Sequence, residues 1–432
     1  MRSARTGKYH CSGCHCMGGG RIPRPRLPAW PQIMRVWRGA VSKTAARNTP
    51  DKVSVPIMNR APCLPPRRGR GALINPQKLT ERLLKRDGFV ASCLQNVLAA
   101  AWPVFYRRVT QPAETCDKPR DWWTGPALLQ LLFAQEHNTL YRQLAKAHPS
   151  LGNARLHAEA RNICIALLSK IHSQWRASLI PVTEWHRPLQ RLRHYALPHE
   201  SIRRSGPSSI DHLLACIIPL LPDRFDIHSA VSGVRLGPAE GFGFVALCDP
   251  HAREFIEYHD AANLWYSFGI GSAGAFQLRN HCMASRRLPV QDGRHFENLA
   301  ANAIKRHRRS HPASYNALRQ LLGLTPIRDF SDLDPHWTAC VAECYSRAGD
   351  IDCLIGLLAE RRNDNSAMGE TALRCLTLFE RGPCVPELSS FGKTWLRENS
   401  LKTLLLRHYP ILQDALYRID NPFAHWRALN LI

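Results

Sequence analysis

Cysteine and histidine residues near the N-terminus are spaced as in sites that bind haem or a metal. Cys11, Cys14 and His15 form a Cys-x-x-Cys-His segment, in which two thiols can attach to haem vinyl groups while the imidazole binds iron. The same segment suits one half of a zinc site, because thiolate and imidazole are both zinc ligands. A tetrahedral zinc site needs a second ligand pair, and the next cysteine, Cys63, stands alone. We therefore interpret this spacing as a chance match and predict no metal centre.

Other spacings that often carry chemistry are incomplete in this sequence. Gly269, Gly271 and Gly274 have the spacing of a dinucleotide site, but the strand, helix and later acid of such a unit are missing, so a turn is predicted. The histidines include no His-Glu-x-x-His segment, which excludes a metalloprotease of that type. The basic cluster 305–309 has no interleaved aromatic residues, so it is a poor surface for single-stranded nucleic acid.

The positive charge of the chain is concentrated in its first 72 residues. The full sequence of 432 residues has a net charge of +24, and residues 1–72 contain fifteen Lys or Arg and one acid, Asp51. The resulting +14, with many Pro and Gly residues and no apolar periodicity, predicts a disordered basic leader that contacts polyanions without specificity. A transit-type leader is an alternative, because the segment is rich in Arg and poor in acids. Sequence-specific nucleic-acid binding is a third, although no reader helix or zinc pair accompanies the charge.

Composition also bears on the compartment. No apolar run approaches the roughly 18 to 20 residues that cross a bilayer, and the polar, basic N-terminus has no apolar segment typical of a secretory signal. Fifteen cysteines are an odd number without a regular framework, which favours a reducing, intracellular environment over a disulfide-built secreted fold. No partner is indicated.

From about residue 73 the apolar residues follow helical spacing. The segment 125–148 has the strongest pattern, and Pro149 is expected to end it. Further helices are predicted within 73–102 and over 154–171, 208–221, 296–309, 314–322, 337–345, 351–360, 371–379 and 401–409. Residues 241–247 are the best candidate for a short strand. The sequence thus predicts a mainly α domain.

Several ordered blocks carry a resemblance to one known family. The segment 121–138 contains Phe133, Glu136, His137 and Asn138 in a Phe-x-x-Glu-His-Asn pattern. This pattern resembles a helix of the animal-type haem peroxidases, the superfamily that includes cyclooxygenases and fatty-acid dioxygenases, and later blocks resemble its bacterial and fungal branch. Those blocks are 160–175, 219–223, 299–324, 350–352, 356–360, 369–371, 406–410 and 421–423. The resemblance covers about 73–426 and implies a haem-peroxidase-like helical domain, a haem cofactor and an oxidoreductase that uses peroxide.

The residues that should bind the haem iron depart from the family's pattern. The family's proximal helix reads approximately Tyr-x-x-His-Pro-Leu-x-Pro, where the imidazole binds iron and, in the oxygenase members, the tyrosine carries the radical. The corresponding stretch here is 215–222, with Ala215 at the tyrosine position and Ile218 at the histidine position. Isoleucine cannot bind iron, and alanine cannot form a phenoxyl radical. The residues at these two positions therefore predict a family member that has lost both its iron-binding histidine and its radical-forming tyrosine.

Three nearby residues are displaced alternatives to the missing iron ligand. His212 lies six residues before Ile218 and points to a different helical face, while His228 follows the end of the helix. Cys216 offers a thiolate, but its offset of two residues turns it about 200° away from Ile218. None of the three is well placed to replace the histidine.

The resemblance also assigns residues to the haem propionates. In the family, a helix that supports the proximal imidazole has an Asn or Asp three residues before an Arg that reaches a propionate. Aligning Tyr315 and Asn316 without gaps puts Ala303 at the first position, Arg306 at the propionate position and Arg308 beside it. Arg306 and Arg308 are therefore candidate haem-binding residues, with a solvated or ion-paired helix face as the alternative.

The distal side of the family's site is also altered. Residues 96–102 are similar to the helix that precedes the family's Gln-Phe-x-x-His-Asp stretch, which here becomes Val104, Phe105, Arg108 and Val109. The distal histidine position thus holds Arg108, and the calcium-binding aspartate is missing, so calcium is not expected. Always protonated, Arg108 cannot accept a proton at working pH. The resemblance stops between 103 and 120, which indicates either a long deletion or an incorrectly spliced gene model.

Two classes of function follow from these residues. The first is a catalytically degenerate peroxidase relative that keeps the scaffold and serves, if at all, by binding a partner. The second is an active haem peroxidase or fatty-acid oxygenase that works through displaced ligands. Ile218 and Arg108 favour the first class.

Overall fold

The computed structural model describes residues 74–110, 123–179, 216–217, 220–248, 251–286, 288–289, 296–309, 312–362, 366–378 and 386–429. The predicted leader with its Cys-x-x-Cys-His segment lies outside these residues. So do Ala215, Ile218 and His212, and most of the helix predicted over 208–221.

Helices make up most of the described chain. The first half contains α1 (Pro76–Leu79, continued by a π-helical turn Thr80–Leu84), α2 (Val97–Thr110), α3 (Thr124–Ala147), α4 (Asn153–Leu179), α5 (Ala252–His259), α6 (Ala261–Ile270) and α7 (Met283–Arg286). The second half contains α8 (Leu299–Arg309), α9 (Tyr315–Leu321), α10 (Pro335–Ala342), α11 (Cys353–Ala359), α12 (Glu370–Leu378), α13 (Ser390–Glu398) and α14 (Leu401–His408). Short 3-10 turns occupy Phe244–Leu247, Phe330–Asp332, Ala348–Asp350 and Pro410–Leu412.

Short strands pair as two-stranded antiparallel ribbons. They are β1 (Ala91–Asn96) with β6 (Ser272–Gly274), β2 (Arg224–Phe225) with β5 (Phe242–Gly243), β3 (Ile227–His228) with β4 (Arg235–Leu236), and β7 (Leu288–Pro289) with β8 (Phe296–Glu297). Helices therefore supply most of the buried surface, and the predicted mainly α fold class is confirmed.

Helices α2, α3 and α4 pack on one another around large aromatic side chains. The rings of Trp102 and Phe133 are 6.3 Å apart between centroids, and the Trp175 indole donates a hydrogen bond to the Ala99 carbonyl at 2.8 Å. Helix α3 has 24 residues, a length of about 36 Å. It ends at Ala147 with His148 as its C-cap, directly before Pro149, and the sequence predicts this end to within one residue.

The largest error in the predicted elements lies between α1 and α2. Val90, Leu94 and Val97 fit a helical spacing, but residues 91–96 form β1 instead. The backbone of β1 pairs with β6, which is some 180 residues further along the chain. The Asn96 amide group also donates to the carbonyls of Pro422 and Ala424, both at 2.8 Å. These tertiary hydrogen bonds override the local pattern, because strand formation depends strongly on context.

Two smaller predictions are partly right. Residues 241–247 contain strand β5, but a 3-10 turn follows it from Phe244. The glycines at 269–274 were assigned to a turn, but they form the end of α6 and the strand β6. Gly269 is required by close packing there, since a Cβ atom would lie 2.1 Å from the Trp426 indole.

Candidate functional site

The chain beside the predicted iron-binding position is buried. Cys216 and Ile217 have 0% and 6% of their surface exposed, and the Cys216 thiol donates to the Leu354 carbonyl with 3.8 Å between sulfur and oxygen. Burial raises the pKa of the Cys216 thiol well above its ordinary value. Because a metal binds the thiolate and not the thiol, Cys216 is poorly suited to replace the missing ligand.

The two arginines assigned to the haem propionates lie on α8 in different environments. Arg306 is exposed, whereas Arg308 donates through Nε and Nη2 to the two Asp352 oxygens, each at 2.8 Å. The third nitrogen, Nη1, donates to the Ile74 carbonyl at 2.9 Å, and the Tyr345 hydroxyl donates to Asp352 at 2.7 Å. The Asp352 side chain is 3% exposed. Arg308 thus joins α8 to the chain before α1 and to the start of α11.

Helix α2 runs unbroken through the predicted distal positions to Thr110. Phe105 is 1% exposed and packs on Phe133 with 5.4 Å between ring centroids, so it belongs to the core. Arg108 lies in the last turn of α2 and is half-buried. A guanidinium there can stabilise a negative charge but cannot take up a proton.

A buried imidazole that the sequence did not single out lies against α2. His172 of α4 is 3% exposed, accepts a hydrogen bond at Nδ1 from the Trp102 indole at 3.0 Å, and stacks on Tyr106 with 3.8 Å between ring centroids. Since the indole can only donate, the neutral imidazole carries its proton on Nε2. The sequence signal that could have identified His172 was its position in the block 160–175, which resembles a family helix.

Glu136, from the Phe-x-x-Glu-His-Asn pattern, is the centre of a buried polar cluster that joins α3 to α13 and α14. Its side chain is fully buried, and both of its oxygens accept from Arg407 Nη1 at 2.6 Å. The Trp395 indole donates to it at 3.0 Å, and His408 Nε2 lies 2.9 Å from Oε2. Burial alone would raise the pKa of Glu136, but the hydrogen bonds from His408, Arg407 and Trp395 outweigh burial and lower it. These contacts give Glu136 a structural role in the packing of α3 against α13 and α14.

Substituting Glu136 by glutamine is expected to lower the free energy of unfolding at pH 7 by about 2–3 kcal/mol, because hydrogen bonds to a charged group are lost. The folded-state pKa of Glu136 lies below its ordinary value of 4.5, so this stabilisation is present above about pH 4.5 and is lost as the pH falls through the folded-state value. Urea denaturation at several pH values measures both effects.

Glu257→Gln is the matched control for this variant. Glu257 is 46% exposed and pairs with Arg253 at 2.8 Å one turn away on α5. Such exposed pairs contribute only about 0.3–0.5 kcal/mol. An equal loss of stability in the two variants would contradict the central role of Glu136.

A second polar cluster connects three more of the blocks that resemble the family. Arg319 Nη1 donates to Glu360 at 2.9 Å and to the Thr371 hydroxyl at 2.8 Å, and that hydroxyl donates to Glu360 at 2.8 Å. Tyr315 packs beside them against Gly356, where a Cβ atom would lie 2.2 Å from the ring. Burial raises the pKa of Glu360 to about 7, although Thr371 and Arg319 act in the opposite direction. The blocks are therefore joined by buried contacts in the fold.

The described ranges contain neither a cluster of metal-binding side chains nor a membrane-spanning helix. Within them, no group of three or more His, Cys, Asp or Glu side chains is arranged to hold a metal ion. Nor is any helix there long and apolar enough to cross a membrane.

Known structures share this architecture. A fatty acid alpha-dioxygenase of Oryza sativa superposes with a TM-score of 0.68 at 19% identity, covering 82% of this chain and 81% of the other. Peroxidase A of Dictyostelium discoideum superposes with a TM-score of 0.59 at 13% identity, covering 78% and 89%. At these identities the likeness shows the fold alone, and it confirms the haem-peroxidase-like helical architecture.

Sequence comparison gives the family. Alpha-dioxygenase PIOX of Oryza sativa subsp. japonica is 25% identical over 361 residues, which are 72% of this chain and 58% of the relative. Peroxinectin A of Dictyostelium discoideum is 36% identical over 258 residues, 57% of this chain and 45% of the relative. The chain thus spans less than two thirds of these relatives. The sequence profile of the animal haem peroxidases matches residues 106–380, more than half of the chain. The chain therefore belongs to the animal haem peroxidase family, in the part of it close to the fatty acid alpha-dioxygenases.

Proposed function

We propose that this protein is a catalytically degenerate member of its family, which keeps the helical scaffold without haem peroxidase chemistry and serves by binding a partner. The observation that carries the proposal is Ile218 at the position of the iron-binding histidine. An alkyl side chain has no lone pair to give to iron, and haem in this family depends on an axial imidazole. Ala215, at the radical-forming tyrosine position, removes the group that an oxygenase would need.

The described residues at or next to the family's haem-binding positions do not fit haem. The Cys216 thiol is buried and protonated, and Arg308 is committed to Asp352. Ala303, at the position of the amide or carboxylate that would orient a proximal imidazole, is a buried methyl group. A metal-bound histidine normally needs such a partner to fix its tautomer. The loss of ligand and partner together supports degeneracy.

The distal residues support the same proposal. Peroxide cleavage needs a base that moves a proton between the two oxygens, and general acid–base catalysis contributes about 10²- to 10⁴-fold. Arg108 stands at the histidine position and keeps its proton. Phe105 fills the adjacent core.

Purified full-length protein titrated with haemin is expected to show no saturable Soret band of an imidazole-ligated ferric haem. The reason is the absence of a proximal nitrogen ligand at position 218. Absorption spectra at increasing haemin ratios, followed by guaiacol oxidation with peroxide, are the measurements. A stoichiometric histidine-type spectrum together with guaiacol turnover would overturn the proposal.

Fatty-acid oxygenation through displaced ligands is the second candidate. It is favoured by the 25% identity to an alpha-dioxygenase over 361 residues. This candidate requires both a saturable haem spectrum and oxygen uptake that depends on an added long-chain fatty acid. Haem binding without fatty-acid-dependent oxygen uptake would leave peroxidase activity as the only enzymatic alternative.

A further inference from the structure

His281 lies in the core beneath the π-helical turn that ends α1. It follows Asn280, whose side-chain amide bonds the backbone of Val90 in both directions at 3.1 and 2.8 Å. The His281 backbone N–H donates to the Leu84 carbonyl at 3.2 Å. These bonds fix the backbone on both sides of the imidazole, which has 0% of its surface exposed.

The His281 ring has no hydrogen-bond partner among the described residues. Both ring nitrogens are buried and unpartnered, and the same holds for Nε of Arg86 and Nε of Arg286. The two guanidiniums are held at their outer nitrogens. Arg86 Nη1 donates to Asp223 at 2.9 Å, and Arg286 Nη1 donates to both Glu81 oxygens at 2.8 and 2.9 Å.

Four buried nitrogens without partners on three neighbouring side chains are unusual in a folded protein. Each buried donor or acceptor left unsatisfied costs about 1–3 kcal/mol, and almost all such groups in proteins have a partner. A bound group that receives these hydrogen bonds would remove most of that cost.

The electrostatic environment favours a bound group with a negative charge. Burial first, and then the positive charges of Arg86 and Arg286, lower the pKa of His281 to about 3. The ring is therefore neutral at pH 7, with one nitrogen protonated and able to donate. The carboxylates that pair with the arginines, Asp223 and Glu81, are 39% and 56% exposed, so both are partly open to solvent, whereas the ring is fully buried.

The geometry points to an internal binding site for a small inorganic anion, formed by His281, Arg286 and Arg86, whose Nη2 donates to the adjacent Asn280 carbonyl at 2.6 Å. Such an anion accepts hydrogen bonds from the two Nε–H groups and from the imidazole N–H, and it is attracted by the positive charge of both guanidiniums. A water molecule could accept from at most two of these donors and would gain little from the two positive charges. Chloride is the probe of choice, because it is small, monovalent and accepts hydrogen bonds from all sides.

Thermal unfolding of the full chain tests this site. Chloride is titrated while gluconate, which is too large to be enclosed, keeps the ionic strength constant. We expect a saturable rise in Tm of about 2–4 °C, because a ligand that binds only the folded state stabilises it by mass action. Broadening of the ³⁵Cl NMR line by the protein measures the binding directly.

His281→Phe is expected to abolish both the chloride-dependent rise and the line broadening. His259→Phe is the matched control, since His259 is also buried, but burial and not a neighbouring arginine lowers its pKa. If His281→Phe fails to fold, Arg286→Lys keeps a cation for Glu81, removes one Nε–H donor, and should weaken chloride binding about tenfold.

Two results would overturn the inference. One is a Tm that rises equally with chloride and gluconate, or equally in the wild type and His281→Phe. The other is no chloride-dependent change at all in Tm or NMR line width, which would show that the cluster is dry or filled by water.

Discussion

Replacing Arg308 by methionine is expected to lower the free energy of unfolding by about 3–5 kcal/mol, since removing one partner of a buried ion pair leaves the other charge uncompensated. That charge is the carboxylate of Asp352, which is 3% exposed. Among the described residues, the Tyr345 hydroxyl would then be its one remaining side-chain donor. Methionine retains most of the aliphatic volume of arginine, so the change reports on charge and hydrogen bonds. Urea denaturation followed by circular dichroism measures it.

Arg306→Met is the matched control on the same helix. Arg306 is exposed, and surface substitutions away from specific contacts usually change stability by less than about 0.5 kcal/mol. The double variant Arg308→Met/Asp352→Leu should recover much of the loss, because it removes both charges together. Equal effects of the two single methionine variants would contradict a structural role for Arg308 and would return it to the candidate propionate ligands.

The elements predicted best from the sequence are those whose stability is local. Helix α3 has a continuous apolar stripe and ends beside Pro149, and α14 was expected over 401–409 and spans Leu401–His408. The predicted helix 296–309 begins three residues late, at Leu299, because Phe296 and Glu297 pair with the strand at 288–289. Helices α5, α6 and α13 are absent from the predicted set, although each is at least as long as α14.

The candidate site was predictable only where the resemblance to the family supplied a template. Ile218 and Ala215 stand out because the family has a histidine and a tyrosine there, and no spacing rule alone would have marked them. The side chains that pair with Arg308 and Glu136 are distant from them in sequence. Asp352 is 44 positions from Arg308, and Arg407 is 271 positions from Glu136. Local sequence patterns carry no record of such contacts, which arise only when the helices pack.

The polar clusters are compatible with the proposed loss of haem chemistry, because they do not depend on the haem-binding positions. Glu136, Glu360 and Asp352 each accept hydrogen bonds from an arginine on another element and lie in blocks that resemble the family. These contacts join protein groups to one another, so they stabilise the folded chain whether or not haem is bound. The chain therefore forms all three clusters with Ile218 at the family's histidine position.

Ile218→His is expected to give the protein an axial haem ligand in one step. The proposed degeneracy places the defect in the missing ligand, and imidazole binds haem iron strongly in many proteins. Haemin titration should change from no saturable Soret band in the wild type to a histidine-type spectrum near one haem per chain. Ile217→His is the matched control, because Ile217 is the next residue in the chain, is 6% exposed, and on an ideal helix would be turned about 100° from position 218.

Peroxidase turnover by Ile218→His should nevertheless stay low. Arg108 occupies the position of the distal base, and general acid–base catalysis is worth about 10²- to 10⁴-fold. Adding Arg108→His to the Ile218→His background tests this reason directly, since guaiacol turnover should then rise while the Soret band stays the same. High turnover by the single variant would show that Arg108 is not limiting. If Ile218→His binds no haem, while circular dichroism shows that it is folded, the scaffold no longer encloses a haem-shaped cleft, and the family's chemistry should be withdrawn from this protein.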